Sequence, residues 1–252
     1  MLDYSSISAF AKRATTEASI DYAILNAGVM PTTFAKSSYG WETTMQVNLI
    51  STTLLALHLL PKLKSNKDPN FTPVLEMIGS GMHLFTTGLS APEADNPSEN
   101  PLEVYSREKS FNAMGGQYMT SKLFLMYIYA HLARMGRPES KSQAYVQVVC
   151  PGLPQSGLGS GDLSRPLRLP NTVFRTTLAK STEKGARTYI AGLTLGERGH
   201  GKFWQYDQIQ PTAPLVLDEK AGERQERLWN AVVDALRKDL PDIDGLVVKA
   251  SQ

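Results

Sequence analysis

Tyr118 and Lys122, in Tyr118-Met119-Thr120-Ser121-Lys122, place a phenol and an ammonium four residues apart. On a helix that spacing sets both on one face. A free tyrosine ionises near pH ~10 and is a poor base at neutrality. A lysine cation beside it favours the phenolate, so the pair can give or take a proton at a substrate oxygen. Alone, the Tyr-x-x-x-Lys pattern is weak, because many helices carry it for structural reasons. Three neighbours strengthen it. Ser80 follows an apolar run in Met77-Ile78-Gly79-Ser80-Gly81, Asn48 is an amide in a mostly apolar stretch, and Pro151-Gly152 cuts off another apolar run. A buried Asn48 must find hydrogen-bond partners.

The elements that must position these residues can be read from periodicity. Helical spacing predicts helices over Ile7–Ala18, Gly40–Leu63, Gly116–Met135, Glu183–Leu195 and Asp218–Leu240. Short apolar runs predict strands over Ile20–Leu25, Pro73–Gly79, Tyr145–Cys150 and Lys202–Tyr206. Pro, Asn and Ser mark a loop from Leu89 to Pro101, and Gly, Ser and Pro mark a second at Pro154–Pro170. Strands alternating with helices predict a parallel sheet in one doubly wound α/β domain spanning 1–252. Ligands in such sheets sit beyond the carboxyl ends of the strands, the rim to which Ser80 and Pro151 belong.

Composition excludes several classes. The 252 residues carry 26 Lys and Arg against 24 Asp and Glu, which gives no electrostatic reason for a nucleic-acid or anionic-membrane partner. A single cysteine, Cys150, allows no internal disulfide and is expected to be a small buried hydrophobe. The stretch Asn48–Leu63, broken by His58, Pro61 and Lys62, is too short and polar to span a bilayer. The start, Met1-Leu2-Asp3-Tyr4-Ser5-Ser6, does not look like a signal peptide. A soluble, cytoplasmic protein is expected. His83 has no Cys, Asp or Glu cluster around it, so no metal site is expected.

Leu25-Asn26-Ala27-Gly28, Val47-Asn48, Ser80, Tyr118-x-x-x-Lys122 and Pro151-Gly152 together resemble the ordered motifs of the short-chain dehydrogenases/reductases. The style of Gly40-Trp41-Glu42 and Leu60-Pro61-Lys62-Leu63 is similar to the retinol-dehydrogenase-like branch common in fungal secondary metabolism. The resemblance implies that Tyr118 is the catalytic acid/base and that Lys122 lowers its pKa and holds a nicotinamide ribose. It further implies that Ser80 binds the reacting oxygen and that Asn48 supports a water-linked proton relay. Asn26, Ala27 and Gly28 would line the adenosine side, Asp3 would contact adenine, and Pro151, Gly152 and Ser156 would meet the nicotinamide.

The resemblance also implies a Thr-Gly-x-x-x-Gly-x-Gly turn that cradles the pyrophosphate at a helix N-terminus. The sequence has no such turn: set against the family it begins near the end of the third strand, giving a partial Rossmann-like sheet that lacks the first strands and the glycine-rich loop. Gly157-Leu158-Gly159-Ser160-Gly161 follows the Pro-Gly motif and reads as part of a mobile substrate loop at 154–180 rather than a phosphate cradle. Pro154 stands where the family anchors the carboxamide and has no N–H to give. The expectation is therefore acid/base chemistry on a small hydrophobic metabolite without nicotinamide: isomerisation, dehydration, epimerisation or cyclisation. The alternatives are an NAD or NADP-dependent ketone reductase or alcohol dehydrogenase and, third, a non-catalytic scaffold. The first strand would be an exposed edge, covered by the N-terminal helix, a loop or a homodimer partner.

Overall fold

A computed structural model describes residues 1–17, 19–66, 68, 70–86, 96–113, 115–136, 143–152, 158 and 181–252. Helix α1 (Tyr4–Glu17) turns Tyr4, Ile7 and Ala11 inward, a one-face spacing, and leads to strand β1 (Tyr22–Leu25). A continuous helical stretch follows: α2 (Thr43–Met45), a π-helical segment Gln46–Ser51, and α3 (Thr52–Lys64). Then come β2 (Val74–Ile78), a 3-10 turn Gly81–Phe85, and the short α4 (Pro101–Tyr105). The long α5 (Gly116–Gly136) and β3 (Tyr145–Cys150) form the centre. The chain closes with α6 (Thr182–Leu193), β4 (Phe203–Gln205), β5 (Gln208–Gln210), α7 (Ala221–Arg237) and α8 (Ile243–Ser251).

The sheet order is β1-β2-β3-β4-β5, parallel from β1 to β4, with β5 antiparallel to β4. β2 is buried at every position and β3 at five of six, as strands covered on both faces must be. The register pairs Leu25 with Met77, Ile78 with Val149 and Cys150 with Gln205. The carboxyl ends of β1, β2 and β3 therefore lie on one rim, and Asn26, Gly79 and Pro151 leave the sheet side by side.

One face carries the main core. α5 buries most of its circumference between the sheet and α7, which presents Leu228, Val232 and Leu236 at four-residue spacing. Two buried ionisable groups join these helices to their neighbours. Glu42 caps α2, accepting from the backbone N–H of Thr44 and Met45, the Thr44 hydroxyl and the Gln117 side-chain amide of α5. Lys64 donates to the Met135 carbonyl at 2.8 Å and the Ala250 carbonyl at 3.1 Å, tying α3 to the ends of α5 and α8. Burial holds the Lys64 pKa below the ordinary lysine value. The opposite face is covered, among the described residues, by α6 and the 3-10 turn Gly196–Gly199 over a small cluster of Ile78, Val149 and Trp204.

Three features differ from the sequence reading. Tyr206 and Asp207, both at positive φ, make the two-residue turn of a β4–β5 hairpin. The helix read over Asp218–Leu240 is α7 (Ala221–Arg237), and a further helix that the sequence reading did not include, α8 (Ile243–Ser251), follows Pro241. The N-terminal helix does not cover the β1 edge: it packs on α3 and leaves an apolar groove of about 390 Å³ beside β1, with Tyr22 and Ile24 exposed. No strand pairs with that outer edge among the described residues. The loop read at 154–180 falls, apart from Leu158, outside the described residues, and with it lie Pro154, Ser156 and the rest of the Gly157–Gly161 run.

Candidate active site

The rim of the sheet opens into a cavity of about 730 Å³. α5 supplies the first groups. Its helix starts after Gly115, at φ +94, so Tyr118 stands in its first turn and Lys122 one turn on. The Lys122 Nζ lies 5.6 Å from the Tyr118 ring centroid and donates to the Ile78 carbonyl at 2.7 Å. That bond fixes the ammonium to the last residue of β2. The next residue, Gly79, admits no side chain: a Cβ there would fall 2.4 Å from Val148 Cγ1. The close approach directs Ser80 into the cavity that Tyr118 also lines, where it favours ionisation of the phenol. Ser80 Oγ also accepts from the Met82 N–H at 3.2 Å, which orients it.

Asn48 is placed by the π segment and does not line the cavity. It is buried and fully used: Oδ1 accepts from the Val29 N–H at 2.8 Å, and Nδ2 donates to the Val29 carbonyl at 2.9 Å and Ser121 Oγ at 3.0 Å. Its side chain pins the segment after β1 to α5. Gly28 belongs to that segment, and a Cβ at Gly28 would come within 3.4 Å of Asn48 Oδ1 and 3.8 Å of Lys122 Nζ. Asn26, Gly28, Pro151 and Gly152 line the cavity, whereas Ala27 lines the groove beside β1. Asp3 caps α1, accepting from the Ser5 and Ser6 N–H groups and the Ser5 hydroxyl, and those bonds hold its carboxyl below the usual range.

Burial sets the protonation of the pair. It pushes Tyr118 up to about 12, against the opposing effect of Ser80. It also pushes Lys122 down to about 8. The expectation that Lys122 favours the phenolate is thus outweighed: at neutral pH Tyr118 is a neutral phenol beside a lysine that still carries its charge. In this state Tyr118 is a proton donor.

Residues that the motifs did not single out complete the site. Cys150 is buried, but its Sγ accepts from the N–H groups of Gly81 and Gly152 and from Gln205 Nε2 at 3.1 Å. It serves as a hydrogen-bond hub under the serine turn, more than the packing group its apolar strand suggests. Tyr189 of α6 lines the cavity and donates to Asn26 Oδ1 at 3.0 Å, joining two of its walls. No local sequence signal marks Tyr189, since its partner is 163 residues away. His83 is a packing residue, with Nδ1 against the Ser80 carbonyl at 2.6 Å and its ring edge-on to Phe203. No metal-binding group of His, Cys, Asp or Glu exists among the described residues.

A nicotinamide group can be tested against this geometry. Lys122 spends one N–H on Ile78, leaving two for the hydroxyls of a ribose, and the space that a Cβ at Gly28 would fill is open beside it. The residues fit the ribose end of such a group.

No family model matches the chain. The chain is 33% identical over 253 residues to the short-chain dehydrogenase/reductase ffsI of Aspergillus flavipes, covering 100% of this chain and 72% of that protein. It is 32% identical over 249 residues to the short-chain dehydrogenase/reductase phmF of Phaeosphaeria nodorum, covering 98% and 71%. Among solved structures, an uncharacterised protein of Mycobacterium paratuberculosis shares the fold, with a TM-score of 0.61 and 18% identity over 94% of this chain and 73% of that one. Among the described residues no helix is long and apolar enough to cross a membrane.

Proposed function

The chain belongs to the short-chain dehydrogenase/reductase family, and on that premise we propose that it is an enzyme whose Tyr118 passes a proton to a carbonyl oxygen, or takes one from the corresponding hydroxyl. The observation that carries this reading is that Ser80, Tyr118 and Lys122 line the wall of one cavity, with Tyr118 held neutral by burial. Two hydroxyl groups that converge on one point can both bond a substrate oxygen there, and the one backed by a cation gives up its proton. Lys122 is that cation, and Asn48 holds Val29, next to Gly28, and Ser121 beside it. Val29, Met30 and Pro31 give the cavity an apolar wall, which suits a small hydrophobic metabolite. By resemblance that is a product of secondary metabolism.

The relatives are named dehydrogenases/reductases, and in oxidation or reduction of this kind the proton transfer accompanies a hydride transfer. A nicotinamide cofactor supplies or accepts a hydride when bound, and Lys122 and Gly28 would hold its ribose end. A second reading is the cofactor-free one, in which the same residues catalyse isomerisation, dehydration, epimerisation or ring closure. It draws on the Tyr189–Asn26 bond, which ties together two walls of the cavity and narrows it around the acid/base groups.

Calorimetric titration with NADPH and NADH separates the two readings. Binding that weakens in a Lys122→Ala variant supports the redox reading; absence of binding at millimolar cofactor, with substrate turnover intact, leaves the cofactor-free one. In either case Tyr118→Phe is expected to lower turnover by about 10²–10⁴-fold while the fold is unchanged. A Tyr118→Phe protein of undiminished turnover would remove Tyr118 from the mechanism.

A further inference from the structure

α6 is attached to the sheet in an unusual way. Its fully buried residues are glycines, Gly185 and Gly192, while Ile190 is 61% exposed. Gly192 sits directly over a polar pair in the middle of the sheet, Glu76 of β2 and Gln147 of β3, which are register partners. A Cβ at Gly192 would fall 2.4 Å from Glu76 Oε2, and one at Gly199 would fall 2.3 Å from Gln147 Oε1. Gln147 Nε2 donates to Glu76 Oε2 at 2.7 Å. Among the described residues this leaves Glu76 Oε1 and Gln147 Oε1, both buried, without a hydrogen-bond partner. Two bare acceptors at the centre of a sheet are costly. A proton on Glu76 turns one of them into a donor beside the amide.

We propose that Glu76, held as a neutral acid against Gln147, is a positioning residue that seats α6 over the Tyr118 cavity, and that α6 lifts as the Glu76 proton is lost to water. The proposal rests on that cavity being the reaction site, because Thr182, Gly185, Ala186 and Tyr189 of α6 form one of its walls. Lifting α6 breaks the Tyr189–Asn26 bond and opens that wall.

Burial raises the Glu76 carboxyl from 4.5 to about 8, with the Gln147 bond opposing. The groups that face it do not supply a compensating charge. From α6 the facing titratable group is Tyr189, itself pushed up to about 12 by burial, with Cys150 and Glu76 adding to the rise. From β3 the facing side chain is the uncharged amide of Gln147, with Cys150 further along. Glu183, Lys184 and Arg187 of α6, Glu197 and Arg198 of the following turn, Lys202 before β4 and Tyr22 of β1 are all exposed to solvent.

With α6 lifted, Glu76 is solvated and ionises in its ordinary range; with α6 seated it holds its proton to about pH 8. Opening therefore releases a proton between 4.5 and about 8, and rising pH favours it in that window by about tenfold per unit, levelling off above.

Hydrogen exchange on the intact protein tests this without any substrate. Protection factors of the α6 amides should fall about tenfold per pH unit across the window and then flatten, while those of α5 stay constant. In Glu76→Gln, whose amide can donate without titrating, α6 protection should not depend on pH. An α6 protection independent of pH in the wild type, the same fall in Glu76→Gln, or an equal fall in α5 would each overturn the proposal. Should Glu76→Gln not fold, infrared spectroscopy of the wild type decides: a buried neutral carboxyl band at pH 7 that disappears at alkaline pH supports it, and its absence at pH 7 refutes it. A protein that passes these tests but loses no turnover in Tyr118→Phe would keep the gate and lose the assignment of the site.

Discussion

At the scale of the residue, the site is governed by burial more than by the pairing its motif suggests. Tyr118 and Lys122 share a helix face as their spacing requires, yet desolvation moves the phenol up to about 12 and the ammonium down to about 8. Tyr118 then remains an acid across the physiological range, and the charge behind it is the group that titrates. As pH rises through about 8, Lys122 becomes neutral and its support for charge on Tyr118 is lost. In a Glu76→Gln background, where α6 no longer titrates, turnover should be level near neutrality and fall by about tenfold per pH unit above the Lys122 pKa. A pH–rate profile still flat at about pH 9.5 would show that the Lys122 cation is not needed. The residue types were legible in sequence because spacing alone puts Tyr118 and Lys122 together. Their pKa values were not, because those depend on how completely other elements exclude water.

At the scale of the element, the glycines decide how closely strands and helices approach. Gly79 lets the serine turn lie against Val148, and Gly192 lets α6 rest on Glu76 and Gln147. Gly192→Ala would place a methyl 2.4 Å from Glu76 Oε2 and 2.7 Å from Val149 Cγ2, so α6 must shift away from the sheet. The expected cost is about 1–3 kcal/mol. It should appear as lowered α6 protection at every pH, including acid pH where Glu76 is neutral in both states. Protection equal to wild type would mean that α6 does not rest on this pair. The strands β2 and β3 were legible in sequence as short, mostly apolar runs, although Glu76 and Gln147 within them gave no sign that they meet. Only the parallel register brings the two side by side.

At the scale of the whole molecule, one face of the sheet carries the deep core, and the other is covered, among the described residues, by α6 and the Gly196–Gly199 turn. The core face is closed by Lys64, which reaches the ends of two helices that are remote in sequence. Lys64→Met keeps the length of the side chain but leaves two carbonyls without a donor, at an expected cost of about 1–3 kcal/mol. Urea denaturation should show this loss, and hydrogen exchange should locate it in α8 (Ile243–Ser251) before the sheet. Uniform loss across the sheet would argue that α8 is not held through Lys64. The sequence by itself determined the α/β alternation, the parallel sheet and the order in which Asn26, Ser80, Tyr118, Lys122 and Pro151 arrive at one rim, because these follow from local periodicity and from chain direction. The tertiary structure alone decided the protonation of Tyr118, the sulfur hub at Cys150, the Tyr189–Asn26 bond and the neutral Glu76 under α6. Each of these arises where distant segments exclude water from a polar group, and no short stretch of sequence encodes that exclusion.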